Sequence, residues 1–183
     1  MAHRLDFRIA GSAEEFEAIH HLNYRTFVEE IPQHPANPEG RLVDRFHEEN
    51  AYLICVDGAE LAGMLALRAR RPFSLDLKLP DLDALLPPGR RIGEVRLLAV
   101  APRHRHSQVL PGLFRLLERE CFARALDMLI VSATLRQRRL YERLGFEPFG
   151  PVVGQEGARF QPMRLTLERF REVEPTYAWR RAK

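Results

Sequence analysis

The run VAPRHRHSQVL, residues 100–110, sets Arg103, His104, Arg105 and His106 between an apolar stretch ending at Val100 and an amphipathic stretch beginning near Ser107. A loop that feeds a helix N-terminus offers main-chain N–H groups and the positive end of the helix dipole, so it can hold a phosphate. Such loops usually carry glycine, which lets the backbone approach the anion closely; this one has none. With Ser107 as N-cap, Pro111 falls in the first turn, where a missing N–H costs least. Donors remain at His106, Ser107, Gln108, Val109 and Leu110, and Arg103, Arg105 and His106 add charge. The plain alternative is a solvated charged turn.

Other reactive side chains point to less. Cys55 and Cys121 lie in apolar patterns and read as buried free thiols of a cytoplasmic protein. His20-His21 and the pair His104 and His106 lack a cysteine or carboxylate at metal-ligand spacing, so no metal is expected. Ser107 and Ser132 sit in no G-x-S-x-G elbow, which argues against hydrolase chemistry. Arg25, Arg68 and Arg96 each carry a planar fork able to grip a carboxylate; surface or paired arginines are the alternative.

The elements that must position these residues follow from periodicity. Leu5–Ala10 alternates as a strand. Ser12 with Glu15 forms a capping box for a helix whose apolar Phe16, Ile19, Leu22 and Phe27 carry it to about Glu30. A proline loop follows, then a short helix over Leu42–Glu49. Two strand-like runs, Tyr52–Val56 and Leu61–Arg70, flank Asp57-Gly58 as a hairpin. Residues 72–90 are rich in proline and leucine and read as an irregular segment with one helical turn, either roofing a site or packing on the core. Then come a strand (91–101), a helix (107–125), an apolar strand (127–134), a helix (135–144) closed by Gly145, two last strands (146–153 and 159–167) and a polar tail with Tyr177 and Trp179. On strand alternation, Glu94, Arg96, Leu98 and Val100 share a face.

This order gives an α/β, or layered α+β, architecture: one domain with a mixed sheet of about seven strands and helices on both faces. The 183 residues suffice for a real core, no run approaches the roughly 20 apolar residues of a membrane span, and no secretory signal is evident. Residues 1–60 hold 5 basic and 12 acidic side chains, while residues 96–145 hold 10 arginines and 4 acids. The basic half suits an anionic ligand. Nucleic acid is disfavoured, because acids interleave the bases and no aromatic-rich basic strand offers stacking.

The segments EVRLLAVAPRHR, residues 94–105, and LYERLGF, residues 140–146, resemble the GNAT superfamily of N-acyltransferases over roughly residues 5–168. Within it, the Tyr24–Phe27 stretch, Asp44, Arg68 and the 94–100 run resemble acyl-homoserine-lactone synthases and N-acyl amino acid synthases. The resemblance implies a splayed central strand pair whose main chain at Leu98, Ala99 and Val100 binds a pantetheine arm. It further implies acyl-CoA or an acyl carrier protein's acyl-phosphopantetheine as donor, a small, amino-acid-like amine as acceptor, and no metal. Glu94 would take the amine proton, Tyr141 would meet the leaving thiolate, and Arg25, Phe27, Arg68 and Arg96 would bind the acceptor. Gln108 and Leu110 stand where the family carries glycines, which puts the diphosphate of coenzyme A in doubt and favours a carrier-bound donor. A non-catalytic thioester-binding module and an ordinary acetyl-CoA-dependent acetyltransferase are the rival readings. The oligomeric state stays open.

Overall fold

The computed structural model describes residues 5–155 and 158–177. Among the described residues the chain forms eight strands. The chain divides into two compact units, one formed by residues up to Leu67 with Leu97–Leu117, the other by Arg68–Arg96 with the residues from Glu118 on.

In the first unit, β1 (Leu5–Ile9) pairs antiparallel with β2 (Ala51–Asp57), and β2 with β3 (Glu60–Arg68). The β2–β3 hairpin turns through Gly58 at φ 65°, a conformation that favours glycine. Helix α1 (Ala13–Tyr24) opens on the expected capping box: Ser12 Oγ accepts the Glu15 N–H at 3.2 Å, and Glu15 Oε2 accepts the Ser12 N–H at 3.1 Å. Its last stretch, Arg25–Glu30, is a π-helix, a form often found at functional sites. Ile19, Leu22, Phe27, Tyr52, Ile54, Met64, Ala99 and Ala101 form the core here. Helix α3 (Val109–Ala123) packs so closely that a Cβ on Gly112 would lie 2.1 Å from the Phe7 ring.

The helix expected over Leu42–Glu49 is only a 3₁₀ turn, His47–Glu49. Asp44 explains this: its carbonyl accepts the His47 N–H at 3.0 Å and its carboxylate accepts Asn50 Nδ2 at 2.6 Å. Such local bonds give the backbone an alternative to a helix.

Beside that turn, the His20 and His47 rings stand 4.8 Å apart, and His47 Nδ1 lies 3.1 Å from the Tyr52 hydroxyl. Burial first, and then the neighbouring His47, hold the His20 pKa below its ordinary value. A folded-state pKa below the unfolded one means that the unfolded chain binds the proton more readily. The stabilisation is therefore complete above about pH 6.5 and is lost as pH falls through the folded value. Urea midpoints taken from pH 7 to pH 5 are expected to fall, and His20→Gln is expected to flatten that slope.

The second unit contains helix α2 (Leu82–Leu85), the first half of β4 (Ile92–Val100), β5 (Met128–Thr134), helix α4 (Arg138–Arg143), β6 (Glu147–Pro148), β7 (Val153–Gln155), β8 (Ala158–Thr166) and helix α5 (Leu167–Tyr177). β4 and β5 pair in parallel through Ile92, Gly93 and Glu94 against Met128, Leu129 and Ile130, whereas β5, β6 and β7 all pair antiparallel with β8. The leucines of segment 72–90 are core: Phe73, Leu75, Leu79, Leu82 and Leu86 pack with Met128, Ile130 and Phe149. The reading as a roof over a site loses its basis in those side chains; of the large hydrophobics there, Leu77 is the one left exposed.

Two further expectations change. The strand placed over 146–153 is two short strands, β6 and β7, separated by Gly150 at φ 63°. The polar tail begins as helix α5, with Phe170 fully buried. Trp179 lies outside the described residues. Among the described residues, no helix is long and apolar enough to cross a membrane.

Candidate active site

In the first unit, β4 leads into the basic loop and the loop into α3. Leu97, in mid-strand, takes φ 54°. A left-handed residue interrupts the two-residue alternation of a strand. The face expected to unite Glu94 and Arg96 with Leu98 and Val100 therefore does not carry past Leu97. Pro102–His104 forms a 3₁₀ turn, and His106 adopts φ 69°, a backbone state that glycine enters at least cost. Ser107 Oγ donates to the His104 carbonyl at 2.6 Å and accepts the Val109 N–H at 3.2 Å, so its side chain caps the helix one residue later than expected.

Of the five main-chain donors foreseen, two are used within the loop: Ser107 N–H on the His104 carbonyl and Val109 N–H on Ser107 Oγ. The N–H groups of His106, Gln108 and Leu110 have no partner among the described residues. The loop's two arginines are matched by acids. Arg103 pairs with Glu60, and His104 Nε2 lies 3.8 Å from Asp57. Arg105 grips Glu30 through both terminal nitrogens, at 2.8 and 2.5 Å, while its Nε donates to the Val100 carbonyl at 3.2 Å. The carboxylate of Glu30 holds the Arg105 pKa above its ordinary value. Arg25 is exposed and forms no ion pair among the described residues, whereas Phe27 belongs to the core and offers no open face to an acceptor.

In the second unit, Glu94 is fully buried. Its Oε1 accepts Ser74 Oγ at 2.6 Å and Leu75 N–H at 3.2 Å; its Oε2 accepts Ser74 N–H at 2.8 Å and faces Arg96 Nη1 at 3.5 Å. Arg68 is equally buried and donates from Nε to the Pro72 carbonyl at 2.6 Å. Arg68 thereby ties its strand to the segment at Pro72. Tyr141 is buried against Phe146, ring centroids 5.5 Å apart, and burial raises its phenol pKa. Cys55 and Cys121 are free and buried, their pKa values pushed up by burial to about 11 and about 12, so neither is a nucleophile near neutral pH.

Ser74 and Lys78 escaped the reading of the sequence. Ser74 supplies two of the four contacts to Glu94. Lys78 donates to Ser132 Oγ at 2.9 Å and lies 4.2 Å from the centroid of the Phe160 ring. A compositional signal existed for Lys78: the chain has 28 basic side chains, and Lys78 and Lys183 are the only two that are not arginine.

A mixed sheet with a strand, a basic loop and a helix in sequence is the framework of a GNAT-type acyltransferase. Residues 18–166 match the family of the N-acyl amino acid synthase FeeM, and the chain belongs to that family. It is an acyltransferase that moves an acyl group from an acyl thioester to an amine. Several solved structures share the fold. A CoA-dependent acyl-homoserine lactone synthase, BjaI, solved with SAM and isopentyl-CoA, is 20% identical with a TM-score of 0.74, over 90% of this chain and 82% of that one. The AHL synthase LasI is 17% identical with a TM-score of 0.73, over 91% of each. FeeM from uncultured soil microbes is 19% identical with a TM-score of 0.71, over 93% of this chain and 95% of that one. No curated protein sequence matches.

Proposed function

We propose that the acceptor is an amino acid or a close analogue, and that the donor's pantetheine arm runs along the main chain at Leu98, Ala99 and Val100 with its phosphate at the loop ending in α3. The observation that carries this reading is the set of N–H groups at His106, Gln108 and Leu110, without partners among the described residues at the start of a 15-residue helix. Main-chain donors at a helix N-terminus suit a phosphate. An extended pantetheine arm carries two amides that can pair with a strand as an added peptide would.

Transfer then follows from ordinary thioester chemistry. The neutral amine attacks the carbonyl carbon, a C–N bond forms, and the carbonyl oxygen gathers negative charge. As the tetrahedral species collapses, the C–S bond breaks with its electron pair on sulfur. The amine proton passes to Glu94. Oε2 is the oxygen suited to this role, because its contact with Arg96 is the longest of the four. Since Glu94 is fully buried, the proton reaches it through a water or after segment 74–75 shifts. The Tyr141 phenol, with its pKa raised by burial, remains a hydrogen-bond donor throughout the working range. A thiol is more acidic than a phenol, so Tyr141 stabilises the departing thiolate rather than protonating it. Arg96, which faces Glu94, supplies a fork for the acceptor carboxylate.

Tyr141→Phe is expected to keep the Tm and to lower kcat by about ten- to a hundred-fold; turnover at the unsubstituted rate would remove Tyr141 from the mechanism. The acceptor class is tested by offering matched pairs of an amino acid and its decarboxylated amine. A site built to bind a carboxylate prefers the acid by about a hundred-fold or more in kcat/KM. Equal use of both members of each pair would overturn the amino-acid assignment.

A further inference from the structure

We propose that Glu30 makes the donor site selective for pantetheine carrying a single phosphate, and selects against the diphosphate and ribose phosphate of coenzyme A; this rests on the acyl-transfer reading above. The observation is a charge balance that the sequence conceals. Read along the chain, the loop from Arg103 to His106 is a cationic cluster ready for a polyanion. In the fold, Arg103 meets Glu60, His104 lies near Asp57, and Arg105 meets Glu30. A ligand approaching this loop finds a surface close to neutral.

The Glu30–Arg105 contact is the strongest of these. It is bidentate, and Arg105 is held at a third point by the Val100 carbonyl. Three of the five N–H donors of the guanidinium are thereby committed. The partner acid stands at the end of the π-helix Arg25–Glu30, which also presents Arg25. Arg25 and the counter-charge of the donor loop thus stand at the two ends of one six-residue element.

What remains for a phosphate is the group of N–H donors at His106, Gln108 and Leu110. Three donors suffice for one phosphate. A diphosphate with a further phosphate needs more, and the two loop arginines that could supply them are held by Glu30 and Glu60. Pro111 removes the next N–H along the helix, so the donor set cannot extend in that direction.

The same single-phosphate chemistry occurs in free acyl-4′-phosphopantetheine and on an acyl carrier protein, and the test separates them. Unsubstituted protein and Glu30→Gln are assayed with one acyl chain on pantetheine, 4′-phosphopantetheine, coenzyme A and a carrier protein, the common L-amino acids serving as acceptors. Glu30 is partly exposed, and glutamine keeps its shape, so folding should survive; a thermal melt confirms it. The ratio of kcat/KM for acyl-CoA over acyl-pantetheine is expected to rise about ten-fold in Glu30→Gln, as one arginine becomes available to the added phosphates. In unsubstituted protein the phosphopantetheine donors should exceed acyl-CoA; if only the carrier-bound form does so, the preference comes from contacts with the carrier and the assignment to Glu30 fails. A ratio that moves less than about two-fold on substitution also overturns it. Absence of turnover with every donor would overturn the acyl-transfer reading and this assignment together.

Discussion

Glu94→Ala is expected to destabilise the protein by about 3–5 kcal/mol, the usual cost of removing one partner from a buried ionic contact, and to abolish acyl transfer. The carboxylate has no exposed surface and gathers donors from Ser74, Leu75 and Arg96. Alanine would leave two main-chain N–H groups, a hydroxyl and a guanidinium without their acceptor. Segment 72–75, which Arg68 also holds through the Pro72 carbonyl, would lose a second anchor. Glu94→Gln keeps the shape but turns a nitrogen toward donors, so an intermediate loss of about 1–3 kcal/mol is expected. Urea melts give the stabilities, and turnover of folded Glu94→Gln separates the two roles of this residue. A proton acceptor cannot be replaced by an amide without a fall in rate; an anchor can. An unchanged rate in a folded Glu94→Gln protein would leave Glu94 as an anchor alone.

Phe170→Ala should produce a loss of similar size, about 3–5 kcal/mol. Phe170 lies on α5, is fully buried, and follows Leu167, which is 8% exposed. One turn further along, Val173 stands against Gly145, where an added Cβ would lie 2.7 Å from the valine. Gly145 closes α4 at φ 91° and leaves room for α5 in the same place. Helix α5 is thus part of the second unit's core, and truncation before Leu167 should destabilise the protein at least as much as Phe170→Ala. Melts of the two variants check this; a truncated chain with an unchanged midpoint would return α5 to the status of a tail.

Local signals in the sequence were reliable where the chemistry itself is local. Ser12 with Glu15 and Asp57-Gly58 each mark a cap or turn through bonds and angles confined to a few residues, and both stand as read. The apolar run at Asp127–Thr134 marked a strand covered on both faces, because such a strand needs no alternation. The tail was misjudged because Leu167, Phe170 and Val173 recur at helical spacing amid glutamates and arginines, and high local charge masked the stripe. Leu97 carries no mark of its left-handed turn, since leucine enters that region only when its surroundings impose it. The site was legible in its residue types but not in its pairings. Glu30 and Arg105 are 75 positions apart, and Ser74 and Glu94 are 20 apart. Contacts over such separations arise from the fold and leave no periodic trace, so a loop that reads as strongly basic is nearly balanced in place.

We propose that this chain forms an amide between a thioester-borne acyl group and an amino acid. The most direct measurement is to incubate purified protein with the common L-amino acids and one medium-chain acyl group presented on phosphopantetheine and on coenzyme A, following free thiol and N-acyl product by mass spectrometry. The account predicts N-acyl amino acid and free thiol in equal amounts, dependent on intact Glu94 and Tyr141. Thiol released without amide, or no consumption of either donor, would contradict it.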